Sequence, residues 1–444
     1  MDRNSLKDII LTVAAGGLEI FERTAGRHRE DIVDMCKRLV TLKGEASAIA
    51  LGHEILIGYQ RLSARNRLEL FQRLLTEFPP DAERLSHAIS AYQAEPNAST
   101  LAGLHAAAES PRQELFRFLN MAPDGTMGII AMRQDLRSMI SESPHLRPID
   151  EDMGHLLQSW FNRGFLRMER LSWRTPALIL EKLIQYESVH EIRGWDDLRR
   201  RLADDRRCFA FFHPALPDEP LIFVEVALTR GLARSIQNVL SAPIPKVDSE
   251  LKPDAAIFYS INNCQPGLAG VSFGNFLIKQ VTDNLAEEIP TLKCYATLSP
   301  VPGFCAWLKQ ELQDPRSAMV FSDTERTLLS RLNGIEVYDE ALLRDDLRPL
   351  LLHLCAYYLL KVKKQDEPRD PVARFHLRNG ARLEQINWLG DRSAKGLRES
   401  ASLLVNYVYD RKAVARNHEA YVNDHEIAHS ATIDQLVKKR PHLL

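Results

Sequence analysis

No apolar run in the 444-residue chain approaches the ~18–20 residues that a membrane-spanning helix needs, so a membrane-inserted protein is not expected. Charge of one sign is also missing. Lys and Arg total 57 against 59 Asp and Glu, a formal net charge of −2, which argues against a generally basic nucleic-acid binder and leaves only local patches open. Cysteine is scarce and scattered. Cys36, Cys208, Cys264, Cys294, Cys305 and Cys355 form no C-x-x-C pair, which speaks against a zinc ribbon and a thioredoxin-type site. They read instead as reduced, small core residues. No address label is expected either. The first seventeen residues carry Asp2 and Asp8 and fit neither a secretory signal nor an acidic-poor transit peptide. The last three, His442-Leu443-Leu444, are not the Ser-Lys-Leu peroxisomal signal. The expectation is a cytoplasmic protein.

What is present is ordinary globular material, 45% hydrophobic and 26% charged, long enough for two or three domains. Up to about residue 160 the patterning is helical. Leu68, Phe71, Leu74, Leu75 and Phe78 recur at helical spacing before Pro79-Pro80. Ser110-Pro111-Arg112-Gln113 has the form of a capping box with proline at the first helical position. A bundle over 1–160 is the economical reading. After residue 160, runs rich in Phe, Val, Ile and Tyr mark strands at 208–212, 221–228, 255–261 and 293–298. Leu277, Ile278, Val281 and Leu285 mark a helix between the last two, so 161–444 reads as a sheet with helices packed on it.

Three segments suit chemistry. Gln265-Pro-Gly-Leu-Ala-Gly-Val-Ser-Phe-Gly-Asn275 joins a predicted strand to a predicted helix. Its glycines leave amides unshielded near a helix N-terminus, which suits an anion such as a pyrophosphate, but neither the Rossmann nor the P-loop spacing is met, and a tight connection needing unusual backbone angles is the favoured reading of the loop by itself. In Thr297-Leu-Ser-Pro-Val-Pro-Gly-Phe304, Ser299 stands at a strand end before a stiff turn. It is either a site residue or the cap of the next helix. His376, in Phe375-His-Leu-Arg-Asn-Gly380, can exchange a proton near neutral pH or be a buried structural residue. A fourth pattern, His425-Glu-Ile-Ala-His429, matches the H-E-x-x-H of zinc enzymes, with His442 as the remaining candidate ligand. Its context is poor, and a polar helix face is the favoured reading.

Taken in order, longer segments resemble the malonyl-CoA decarboxylase family over about residues 160–410. They are His213-Pro-Ala-Leu-Pro-Asp-Glu-Pro-Leu221, Val224-Glu-Val-Ala-Leu-Thr229, Phe258-Tyr-Ser-Ile261, Gly267-Leu-Ala-Gly270 and Gly274-Asn-Phe-Leu-Ile-Lys279. Leu298-Ser-Pro-Val-Pro-Gly-Phe304, Asp370-Pro-Val-Ala-Arg-Phe-His-Leu-Arg-Asn-Gly-Ala381 and Ile386-Asn-Trp388 complete the set. The resemblance implies an α+β protein: an all-α N-terminal oligomerisation domain (1–160), then a GNAT-type acetyltransferase-like domain with a mixed sheet (161–444). It implies conversion of malonyl-CoA to acetyl-CoA and CO2, with Ser299 and His376 catalytic. The CoA loop falls on Ala269, Gly270, Val271, Ser272, Phe273, Gly274 and Asn275. Ala269 and Ser272 depart from the general acetyltransferase pattern Arg/Gln-x-x-Gly-x-Gly/Ala, and Gly274 fits it.

The thioester is its own electron sink, so no metal or organic cofactor is expected. On this reading Ser299 bonds the carboxylate or the enolate, and a protonated His376 delivers the proton. Asn379, Asn387 and Tyr407 are candidate supporting groups. Malonyl-CoA is the expected partner, without nucleic acid or membrane, in a homo-oligomer that the resemblance makes a homotetramer. A CoA-dependent acyltransferase on the same fold and a non-catalytic malonyl-CoA-binding regulator are the alternatives.

Overall fold

The structure, a computed structural model, describes residues 31–244, 252–271, 277–314, 321–330, 332 and 347–438. The chain divides into two compact units, and the division is not a single cut. Unit one takes the chain to Leu166 together with His213–Pro217 and Gln265–Phe273; unit two takes the remainder.

Unit one is helical. Helices run over Ile32–Thr41, Glu45–Gln60, Ala64–Glu77, Ala82–Ala94, Ala98–Ala108, Pro111–Met121, Gly125–Met139 and Arg147–Trp160. Ala64–Glu77 starts where the Ser63 hydroxyl accepts the Asn66 N–H, and it buries Leu70, Phe71 and Leu74 along one stripe. Ser110 caps Pro111–Met121 through the Arg112 N–H, but the expected box does not close: the Gln113 side chain donates to Asp152 instead, 2.9 Å away. Ala82–Ala94 buries no side chain at all, and Ala98–Ala108 buries only Ala107.

Two excursions from the later sequence belong to this unit. The His213 ring packs on Phe161, with centroids 4.6 Å apart. Gly267 comes so close to the helix Gly125–Met139 that a Cβ there would lie 2.0 Å from the Ile130 carbonyl oxygen, which admits glycine alone.

Unit two is built on an eight-stranded sheet. Its strands are β1 (Arg167–Leu171), β2 (Arg206–Phe212), β3 (Ile222–Thr229), β4 (Ala255–Asn263), β5 (Cys294–Thr297), β6 (Ser299–Pro300), β9 (Arg382–Asn387) and β10 (Leu404–Val408), with β7 (Lys363–Lys364) and β8 (Glu367–Pro368) forming a separate pair. The order is β1-β2-β3-β4-β5-β10-β6, with β9 also on β10. Among the described residues every strand pairing is antiparallel except β4–β5. That parallel ladder ends at Phe258–Thr297, where the chain leaves β5 for β6.

Alternation sorts the residues by face. Ala296 and Leu298 join an apolar cluster with Ile236, Val239, Ile257 and Leu404. Thr297 and Ser299 therefore point to the opposite face. The predicted helix forms over Leu277–Glu288 and buries Leu277, Ile278, Val281, Thr282 and Leu285.

All six cysteines are free thiols. Burial pushes Cys36 and Cys305 up to about 12, away from nucleophilic use. No helix among the described residues is long and apolar enough to cross a membrane. The H-E-x-x-H pattern does not lie on a helix. The helix Val414–Asp424 ends at His425, whose φ is +55°, and the next begins at Ala431. His429 is engaged by the Ile427 carbonyl at 2.6 Å and by Asp434 at 2.9 Å. Among the described residues no group of three or more His, Cys, Asp or Glu is placed to hold a metal ion.

Candidate active site

Ser299 and His376 stand 77 residues apart in sequence and meet in unit two, with Ser299 Oγ 3.0 Å from His376 Nε2. Ser299 sits in β6, register-paired with Val405 of β10. The helix after it is capped at Gly303, so Ser299 is not its cap. The turn between them is held by the Val301 N–H, which donates to Ser400 Oγ at 3.1 Å.

His376 rides on the helix Pro371–Arg378, fixed at both ends. At its start Asp370 accepts the Ala373 N–H at 2.8 Å, and Pro371 occupies the first helical position. At its end the Asn-Gly turn closes a Schellman motif: Gly380 N–H donates to Leu377 and Ala381 N–H to the His376 carbonyl. Gly380 takes φ +80°, and a Cβ there would lie 2.1 Å from the Val414 carbonyl oxygen.

Around the pair is a buried, hydrogen-bonded shell. Ser299 Oγ is 2.8 Å from Thr297 Oγ1, and His376 Nδ1 is 2.8 Å from the Tyr409 hydroxyl. Tyr407 stacks on the imidazole, with centroids 4.7 Å apart and planes at 27°. Burial alone pushes the His376 pKa down to about 3, so the imidazole is neutral at pH 7. Burial raises both tyrosines well above the usual phenol range, so they too stay neutral. Tyr409 also lines a cavity of about 600 Å³ with Lys279, Thr282, Asp283, Asn379, Arg411 and Lys412.

A stability prediction follows. An unfolded His376 titrates near 6.5 and the folded one near 3, so between these values the unfolded chain binds the extra proton. Stability is held above pH 6.5 and lost as the pH falls toward 3. His376→Gln should unfold at a lower pH than the parent chain in an acid titration followed by circular dichroism; an unchanged acid midpoint contradicts the assigned burial cost.

Of the expected supporting groups, Tyr407 touches His376. Asn379 donates to the Phe375 carbonyl and reaches the cavity. Asn387 does not reach the pair. It donates to Asn406 Oδ1 at 2.8 Å, and Asn406 Nδ2 in turn donates to the Thr297 carbonyl at 2.6 Å, tying β10 to β5. Thr297, Asn406, Tyr409 and Asp370 were not singled out in sequence. The Tyr407-x-Tyr409 alternation was a usable signal for Tyr409, because two residues two apart in an extended segment, here the end of β10 and the residue after it, project to the same side.

The expected CoA loop is partly described: Ala269, Gly270 and Val271 are, whereas Ser272, Phe273, Gly274 and Asn275 lie outside the described residues. The Ala269 and Val271 amides close turns onto Pro266 and Leu268, so they are not free for an anion. Among the described residues the Gly270 amide, at φ +84°, makes no hydrogen bond.

The carbonyls of Gly267 and Ala269 accept from Arg133 at 2.8 and 3.1 Å, and Arg133 also pairs with Asp150 at 2.8 Å. Nothing in the sequence distinguished Arg133. Arg133→Met strands two carbonyls and half-frees Asp150. It should cost about 3 kcal/mol in a denaturant titration, the low end for a broken buried pair, since Arg137 still holds Asp150. A loss under 1 kcal/mol would contradict this role.

Comparison with known proteins agrees with this arrangement of elements. The family model "Malonyl-CoA decarboxylase C-terminal domain" matches residues 164–443, and the corresponding N-terminal domain model matches 78–161. The chain is 36% identical over 355 residues to the mitochondrial malonyl-CoA decarboxylase of Anser anser anser, covering 74% of this chain and 70% of that protein. With the Mus musculus protein it is 35% identical over 346 residues, covering 73% and 70%. Among solved structures, the malonyl-CoA decarboxylase of Rhodopseudomonas palustris superposes with a TM-score of 0.85 at 46% identity, over 91% of this chain and 98% of that one. The Agrobacterium vitis enzyme gives 0.84 at 46%, over 92% and 100%. The two-part fold, a helical region followed by a mixed-sheet domain, and the length of these matches lead to one assignment: the chain belongs to the malonyl-CoA decarboxylase family.

Proposed function

We propose that this chain decarboxylates malonyl-CoA to acetyl-CoA and carbon dioxide, with Ser299 and His376 as its catalytic residues. The observation that carries the reading is the buried 3.0 Å contact between Ser299 Oγ and His376 Nε2. The loop from Ala269 to Asn275 holds the CoA pyrophosphate, with the Gly270 amide as one donor.

The malonyl carboxylate brings a negative charge beside His376, which raises the imidazole pKa from its value of about 3. One solvent proton then settles on Nε2. The C–C bond breaks, carbon dioxide leaves, and the bond's electron pair enters the thioester as an enolate. Ser299 donates a hydrogen bond to the carboxylate and then to the enolate oxygen. Nε2–H passes its proton to the α-carbon, and the imidazole returns neutral. One solvent proton is consumed per turnover, and both charges of the ion pair disappear together.

The test is incubation with malonyl-CoA in D2O without any acyl acceptor. The expected product is acetyl-CoA carrying one deuterium, with stoichiometric carbon dioxide. Turnover that requires an amine or sugar acceptor would mark an acyltransferase; tight binding without turnover would mark a regulator.

We also read the protein as a cytoplasmic homo-oligomer, a tetramer by family resemblance. Support comes from Ala82–Ala94 and Ala98–Ala108, a helix pair that leaves Ile89 and Leu101 each 40% exposed. Light scattering on the purified chain reads the state directly, and a monomer at micromolar concentration would overturn it.

A further inference from the structure

Leu268, Ala269, Gly270 and Val271 form a β-turn closed by the Val271 N–H, which donates to the Leu268 carbonyl at 3.0 Å. Ala269 takes φ −59° and ψ 132°, and Gly270 takes φ +84°, as a type II turn requires. Types I and II differ in the peptide between the two central residues, which is turned over by about 180° from one to the other. Here that peptide joins the Ala269 carbonyl to the Gly270 N–H. It is trans, so its C=O and N–H point in opposite directions. Arg133 Nη1 donates to the Ala269 carbonyl at 3.1 Å and to the Gly267 carbonyl at 2.8 Å. Arg133 is buried and is itself anchored by Asp150. The Gly270 N–H is therefore aimed away from the buried guanidinium, and Gly270 is exposed. The close approach of Gly267 to Ile130 fixes the start of the turn on the same helix that carries Arg133.

We propose that Arg133 is a positioning residue for coenzyme binding: it holds this turn in its type II form and so presents the Gly270 N–H to the pyrophosphate. This rests on the reading of the loop over 269–275 as the pyrophosphate site and deepens it. Glycine at 270 admits the positive φ of type II and the negative φ of type I alike, so the turn's own residues leave its type open. The guanidinium decides between them, because only type II brings the Ala269 carbonyl to it. Without Arg133 that carbonyl loses its partner. Turning the peptide over sends the oxygen to solvent and withdraws the N–H, so a carbonyl dipole of the wrong sign faces the phosphates.

The test uses Arg133→Met, which keeps an apolar stem and has no donor, and Arg133→Lys, which returns one. Three quantities are read: the turn in a crystal structure of the unliganded variant, equilibrium binding of CoA, and kcat and KM for malonyl-CoA beside malonyl-pantetheine, which has the thioester and no pyrophosphate. In Arg133→Met the peptide should turn over and Gly270 take a negative φ. CoA binding and KM for malonyl-CoA should weaken about tenfold, the scale of one hydrogen bond to a charged group, with kcat within about twofold and KM for malonyl-pantetheine unchanged. Arg133→Lys should recover most of the loss. Gly270→Ala serves if Arg133→Met does not fold. An added Cβ there has nothing within 4 Å, yet an L side chain disfavours φ +84°, so the same selective weakening toward CoA should appear. An unturned peptide in Arg133→Met, parental CoA binding in Gly270→Ala, an equal loss with malonyl-pantetheine, or a loss that falls on kcat each overturns the proposal. A turned peptide with parental CoA affinity overturns instead the pyrophosphate reading of the loop, so the two failures are told apart.

Discussion

His376→Asn should lower kcat for carbon dioxide release about 10³-fold while CoA binding persists. His376 is the group that carries the proton, and general acid catalysis of this kind contributes ~10²–10⁴ in rate. Asparagine occupies the first part of the ring volume and can still meet the Tyr409 hydroxyl, which lies 2.8 Å from Nδ1 in the parent site, but it has no titratable atom at the Nε2 position. Ser299→Ala removes the fixed donor to the developing enolate, and such a loss costs ~10²–10³ in kcat. The two residues act through one hydrogen bond, so the double variant should be little worse than His376→Asn alone. Single-turnover release of labelled carbon dioxide, beside equilibrium binding of CoA, separates chemistry from affinity. Near-parental turnover in both single variants would remove the pair from the mechanism.

Gly380→Ala is the second large effect, and it acts on carriage. The position needs φ +80°, which costs an alanine ~1 kcal/mol. The added Cβ would also lie 2.1 Å from the Val414 carbonyl oxygen, at the start of the helix Val414–Asp424, so the backbone must move. Together these should lower stability by roughly 3 kcal/mol or more in a urea titration. The displaced turn includes the Ala381 N–H that holds the His376 carbonyl, so kcat in the surviving folded protein should fall about tenfold through misplacement of the ring. A variant with parental stability and parental kcat would show that the Schellman closure is dispensable.

Legibility differed from element to element. The strands at 255–261 and 293–298 and the helix carrying Leu277 to Leu285 were read from local alternation and periodicity, and they formed as Ala255–Asn263, Cys294–Thr297 and Leu277–Glu288. The H-E-x-x-H pattern failed because its helical premise is a property of five consecutive φ/ψ pairs, and the chain turns left-handed at His425. The capping box failed for a different reason: Gln113 found a tertiary acceptor in Asp152. Arg133 was invisible because its partners, Gly267 and Ala269, are main-chain carbonyls more than 130 residues away, and a carbonyl leaves no mark in sequence.

The charge balance, the lack of long apolar runs, the scattered cysteines, the order of elements and the family motifs were all set down in the sequence, since each depends on composition or on neighbours within one turn or one strand. Which of the 14 histidines matters, and in which protonation state, was not. A pKa near 3 comes from burial, and burial belongs to the packed interior. The same holds for the partners of that histidine. Ser299 and His376 face each other because β6 pairs with β10 and a capped helix lays His376 over the same face, an arrangement that tertiary pairing alone creates.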